Sequence, residues 1–134
     1  MITIDTSVII AMSLNEPEAE TFHSLVTHGD ILIGWPTLLE ARMVLAGRKF
    51  PNASAIIKQL SELPNVTAVA FGERHYFVAE KAFDQFGKGR HPASLNMGDC
   101  FSYAVSVIAN APLLFKGRDF SQTDLKLHPA SSTA

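Results

Sequence analysis

A single cysteine, Cys100, stands among 134 residues, so no internal disulfide can form, and the expected setting is a reducing cytoplasm. No apolar run approaches the ~20 residues needed to span a bilayer. The chain opens on MITIDTSVII instead of a basic stretch followed by an apolar signal segment, which favours the same compartment. Charge of one sign is also missing: 11 Lys and Arg face 13 Asp and Glu, a formal net charge of −2. The surface as a whole is therefore no polyanion binder, and any nucleic-acid site has to be a local patch. There is no G-x-x-x-x-G-K-[ST] run and no glycine-rich loop after the first apolar segment, which argues against a phosphate-loop nucleotide site. No internal repeat is present, and only residues 129–134 approach low complexity. That tail is expected to fray. What the chain does have is 47% hydrophobic residues, enough for one core in a length too short for two ordinary domains.

The apolar segments alternate in kind. Residues 1–4 form a β-branched run ended by the polar turn Asp5-Thr6-Ser7, as expected of a buried strand that leads into a helix. Asn15 followed by Glu18 reads as a helix start, with Phe22, Leu25 and Val26 on one face and His28-Gly29 as a stop. Residues 31–33 read as a second strand. Trp35-Pro36-Thr37 then opens a helix over 38–46 closed by Gly47, and a further helix over 53–63 stops at Pro64. A third strand is expected over 66–71, a long amphipathic helix over 73–86 with Gly87 as its terminator, and an exposed basic loop over 88–92. Asn96 reads as the cap of a helix over about 98–109, and Leu113-Leu114-Phe115 as a fourth short strand beyond Pro112. Strands alternating with helices predict an α/β fold, a mostly parallel sheet of four to five strands covered on both faces. Functional groups in such folds gather where the strands end.

Four acids fall at comparable positions in that scheme. Asp5 follows the first strand, Glu40 is expected in the first turn of the helix after the second, Asp99 starts the late helix, and Asp119 follows the last strand. Each has a plainer explanation: Thr37-x-x-Glu40 is a formal capping box, Asp99 suits a helix dipole, and Asp5 and Asp119 suit turns. A helix N-terminus stabilises a carboxylate by only about 0.3–1 kcal/mol, far too little to hold four together. If they share one crevice, cations belong between them, and hard oxygen ligands suit Mg²⁺ or Mn²⁺. Such a cation can activate water and neutralise charge on a phosphate, which is phosphodiester chemistry without a protein nucleophile. Thr6 and Ser7, beside Asp5, are candidates for supporting that site.

The same residues carry a family resemblance. Met1-Ile2-Thr3-Ile4-Asp5-Thr6-Ser7, Pro36-Thr37-Leu38-Leu39-Glu40-Ala41, the GKGRHPA and LNMGDCFSYA blocks over 87–104, and Leu113-Leu114-Phe115-Lys116-Gly117-Arg118-Asp119-Phe120 with Thr123-Asp124, in this order, resemble the VapC-type PIN-domain ribonuclease toxins. The resemblance implies one PIN domain over 1–128 with a three-layer α/β/α fold, followed by a flexible tail over 129–134. It also implies a Mg²⁺- or Mn²⁺-dependent endoribonuclease that cuts RNA, of the tRNA or rRNA class, by activated water and is silenced by a VapB-type antitoxin. Carried over position by position, Asp5, Glu40, Asp99 and Asp119 are the catalytic acids, with Asp5, Asp99 and Asp119 as metal ligands. Asp124 also matches the pattern. A homodimer is expected, built on apolar residues that the helices over 53–63 and 73–86 hold in excess of one packed face.

Arg90, with Lys88 and His91, forms the densest basic cluster and stands just upstream of Asp99, so Arg90 is a candidate phosphate contact. Asn96 joins it as a residue that supports the site. Lys116 and Arg118, which flank Asp119, extend the basic patch. Tyr103 shares a helix face with Asp99, and its expected role is core packing with a bonded hydroxyl. Cys100 is a soft ligand beside hard ones and is expected to pack. The alternative reading is a catalytically inactive PIN-like module that binds RNA or protein; the presence of all four acids argues against it.

Overall fold

A computed structural model describes residues 1–134. Four short strands, β1 (Ile2–Ile4), β2 (Ile31–Gly34), β3 (Val66–Val69) and β4 (Leu113–Leu114), pair in the order β3-β2-β1-β4, and every pairing is parallel. The first three strands step outward in sequence, and the fourth returns to the far side of β1. The chain thus changes direction between β1 and β4, and the crevice at their carboxyl ends is the natural place for a site.

Helices cover both faces. α1 (Thr6–Ser13), α2 (Ala19–His28) and α4 (Ala53–Glu62) enclose a core that contains Ile4, Val8, Ile9, Phe22, Ile31, Ile33 and Leu114. On the other face α6 (Met97–Ala109) lies against β1, β2 and β4, backed by α5 (Glu73–Phe86), around Leu95, Tyr103, Leu113 and Phe115. The neighbours Leu113 and Leu114 supply opposite cores because successive strand residues face opposite ways. Each such side chain taken fully out of water contributes about 1.5–3 kcal/mol. α3 (Trp35–Gly47) closes the top between α1 and α6. No helix is long and apolar enough to cross a membrane.

Several expectations change in detail. The polar turn after β1 is already helical from Thr6, with Asp5 as its N-cap. Its Thr6, Val8, Ile9 and Ile10 are β-branched and buried, so burial overrides a strand-like local preference. Asn15 adopts a left-handed φ of 53° in the connection and opens no helix; Glu18 flanks α2 instead. α3 begins at Trp35 with Gly34 as N-cap, so Thr37-x-x-Glu40 caps nothing, the Thr37 hydroxyl has no hydrogen-bond partner, and Glu40 falls in the second turn. Of the two helices expected to carry a dimer face, α4 packs Ile57 and Leu60 into the core, and α5 displays Tyr76, Phe77 and Phe83. The tail expected to be loose is tied down. Ser132 N–H donates to the Phe115 carbonyl at 3.0 Å, Gly117 N–H donates to the Ser132 carbonyl at 2.8 Å, and the Ser132 hydroxyl donates to Glu18 Oε2 at 2.7 Å. Unpaired backbone groups just beyond β4 give the tail its partners.

Candidate active site

Asp5 caps α1 at the end of β1. Its Oδ2 accepts from Ser7 N–H at 3.1 Å and from the Ser7 hydroxyl at 2.7 Å, and Ser7 Oγ in turn accepts the backbone N–H of Lys116 at 2.9 Å. Its Oδ1 accepts from the Ser102 hydroxyl at 2.5 Å, across 97 positions of sequence. Asp99 sits in the first turn of α6, locked in a reciprocal cap: its N–H donates to Asn96 Oδ1 at 2.9 Å, and its Oδ2 accepts Asn96 N–H at 3.0 Å.

Glu40 reaches in from α3 and accepts the Thr6 hydroxyl. Gly98 makes that reach available, because a Cβ built there would fall inside the Glu40 carboxylate. Asp119, in the loop after β4, stands near Asp99 in the same cavity wall. Asp5, Glu40, Asp99 and Asp119 thus line one cavity of about 210 Å³ together with Thr6, Ser7 and Lys116.

Like charge and burial dominate the electrostatics. Burial first, and then the neighbouring acids Asp119 and Asp5, push the Asp99 carboxyl up to about 8, against the opposing pull of the Asn96 N–H. Glu40 is raised by burial and by Asp5, with the Thr6 hydroxyl pulling the other way. No three acid, histidine or cysteine groups converge on a common ligand position as the side chains stand. The all-oxygen donor set and its surplus of negative charge nevertheless fit a hard divalent cation, whose binding requires Asp99 to give up its proton.

The other candidates divide. Thr6 and Ser7 touch Glu40 and Asp5, and Asn96 fixes Asp99. Arg90 is absent from the cavity wall; its guanidinium lies 5.1 Å from the centre of the Phe83 ring. Lys88 and His91 share that outlying loop. The Lys116 ammonium is turned to Glu16 at 3.2 Å and Glu18 at 3.1 Å. Asp124 also lies off the cavity and accepts the Tyr103 hydroxyl at 2.6 Å, so Tyr103 packs with a bonded hydroxyl. Burial and the Asp99 charge push the Cys100 thiol up to about 11, which leaves it a packing group. Ser102 and Gly98 were not singled out in the sequence. Ser102 stands three residues after Asp99, on the same helix face, and that spacing was the available signal.

Beside the acidic cavity lies an apolar hollow of about 940 Å³, lined by Trp35, Leu39, Met43, Phe71, Met97 and Phe101 among others, and Glu40 borders both.

The model of the family described as PIN domain matches residues 2–126. Ribonuclease VapC30 of Mycobacterium tuberculosis is 39% identical over 123 residues, which cover 91% of this chain and 94% of that protein. Ribonuclease VapC of Mycolicibacterium smegmatis is 35% identical over 123 residues, covering 91% and 95%. Among solved structures, the Mycobacterium tuberculosis toxin VapC20, described as cleaving the Sarcin-Ricin loop, superimposes with a TM-score of 0.78 at 16% identity, covering 96% of this chain and 100% of that one. VapBC2 from Rickettsia felis, bound to a DNA fragment from their promoter, gives 0.71 at 14% identity, covering 96% and 98%. The chain belongs to the PIN-domain family and, within it, to the VapC group.

Proposed function

We propose that this chain is the toxin of a type II toxin-antitoxin pair, an endoribonuclease that hydrolyses RNA phosphodiesters in the cytoplasm with Mg²⁺ or Mn²⁺. The observation that carries the reading is the convergence of four acids from four separate segments on one cavity at the carboxyl edge of a parallel sheet. The VapC ribonucleases that are similar over nine-tenths of the chain support the activity. Asp5, Asp99 and Asp119 would hold the cation. When bound, it supplies Lewis acidity that activates water and offsets charge on the phosphate. Glu40, raised above the usual carboxylate range and steadied by Thr6, is the group suited to take up a proton. Ser7, bonded to both Asp5 and the Lys116 backbone, holds the β1 and β4 ends in register.

The antitoxin we infer is a segment with an Arg or Lys beside apolar side chains. The apolar hollow would take the latter and the acidic cavity the former, with Glu40 at the border. The exposed aromatic face of α5 supports a homodimer.

The test is cleavage of structured RNA, ribosomal and transfer, by the purified chain with Mg²⁺ or Mn²⁺ and with a chelator. Cleavage is expected only with cation, and Asp5→Asn is expected to lose more than about 100-fold, beyond what loss of a supporting group alone costs. Undiminished cleavage by Asp5→Asn, or in chelator, would overturn the reading.

A further inference from the structure

Ser102 is 1% exposed, in the middle of a helix, with its hydroxyl proton committed to the first acid of the site. A buried serine in a helix ordinarily satisfies itself on a carbonyl of its own or a nearby segment. Ser106, one turn further along and 2% exposed, does this by donating to the Ala111 carbonyl at 2.5 Å. Ser102 instead reaches off its helix to the end of β1. Ser7 already gives Asp5 two donors, both on Oδ2, and a carboxylate held by one oxygen can still swing about its terminal torsion. The Ser102 bond to Oδ1 removes that freedom. Because Ser102 is carried by the same helix as Asp99, one turn on, it ties the orientation of Asp5 to the element that positions Asp99.

We propose that Ser102 is a positioning residue of this site: its hydroxyl fixes the rotation of the Asp5 carboxylate relative to Asp99, so that a divalent cation meets a ligand pair already oriented. Three features single it out from an ordinary buried serine: the bond runs between elements, it goes to a carboxylate, and it engages the oxygen that Ser7 leaves free. Groups that orient metal ligands typically contribute 10–100-fold in affinity. The inference rests on the proposed cation site.

The experiment measures Mn²⁺ binding to the RNA-free chain directly, by calorimetry or by the free-Mn²⁺ electron paramagnetic resonance signal. The proteins compared are the unaltered chain, Ser102→Ala, Ser102→Thr and Ser106→Ala, with thermal midpoints taken in chelator. Ser102→Ala is expected to weaken Mn²⁺ binding by about 10–100-fold. Ser106→Ala, equally buried on the same helix, is expected to lose comparable stability and keep its Mn²⁺ affinity. Ser102→Thr, which keeps a hydroxyl, is expected to retain most of the binding, and it carries the test if Ser102→Ala does not fold. Unchanged affinity in Ser102→Ala, an equal loss in Ser106→Ala, or a loss in folded Ser102→Thr as large as that expected for alanine would overturn the role of Ser102. Absence of Mn²⁺ binding in the unaltered chain would overturn the cation site itself, a separate result.

Discussion

A carboxyl that titrates near 8 in the folded chain and near its ordinary value of 3.8 when unfolded makes Asp99 a pH-dependent liability. Between those values the native state holds a proton that the unfolded state has released. Stability is therefore lost as pH rises towards and through the folded value. In chelator, the thermal midpoint is expected to fall from about pH 5 to about pH 8, and Asp99→Asn should flatten that slope because its amide never ionises. Mn²⁺ should restore the midpoint at the higher pH, where the cation replaces the proton. Parallel slopes for the two proteins in chelator would assign the burden to other groups. Cys100, next in sequence, shares the burial without the consequence, since its thiol stays protonated throughout that range.

Among the elements, α6 contributes most to the site. Its first turn bears Asp99, its second Ser102, and Asn96 joins the turn to the loop through a reciprocal cap. Asn96→Ala removes one arm of that cap and should cost about 1 kcal/mol, within the 0.5–2 kcal/mol range of such losses, read as a shift in denaturant midpoint. Cation affinity should fall with it, because the Asp99 backbone then lacks its anchor. The elements also differ in how openly their sequences announce them. α5 follows the expected span, 73–86, because its apolar residues recur at helical spacing and Gly87 ends it. α1 escapes the same reasoning: it is buried nearly all round, so it has no polar face to set a period. Thr37-x-x-Glu40 satisfied a capping pattern in letters alone, since Trp35 and Pro36 had already begun the helix. A shared crevice for the four acids could be read from strand ends and helix starts, beside plainer capping and turn roles for each, and the family resemblance chose between them. The path of the 88–92 loop could not, and so Arg90 came out against Phe83 and off the cavity wall.

At the scale of the whole molecule, the near-neutral balance of charge hides an uneven distribution. Four of the 13 acids line the cavity, and the one cation in its wall, Lys116, is spent on Glu16 and Glu18, while Arg90 lies against Phe83. An RNA backbone would therefore meet few free cations at the cavity wall itself, and bound divalent ions would carry the attraction there. The tail completes the molecule by binding back beside β4, with Ser132 touching both the strand extension and Glu18. Outside these contacts the largest spare apolar surface on α5 is Tyr76, Phe77 and Phe83, with Phe77 57% exposed. Light scattering at micromolar concentration is expected to report a dimer, and Phe77→Glu, which places a charge in that face, a monomer whose thermal midpoint no longer rises with protein concentration. A monomeric unaltered chain would remove the proposed dimer.

The close approach of Gly98 to Glu40 makes the start of one helix the receiving surface for an acid of another. The space a methyl group would occupy at position 98 is already filled by the carboxylate arriving from α3. A side chain at position 98 and the present placing of Glu40 therefore exclude each other: any larger residue there would turn the acid away from the Thr6 hydroxyl and out of the cavity wall.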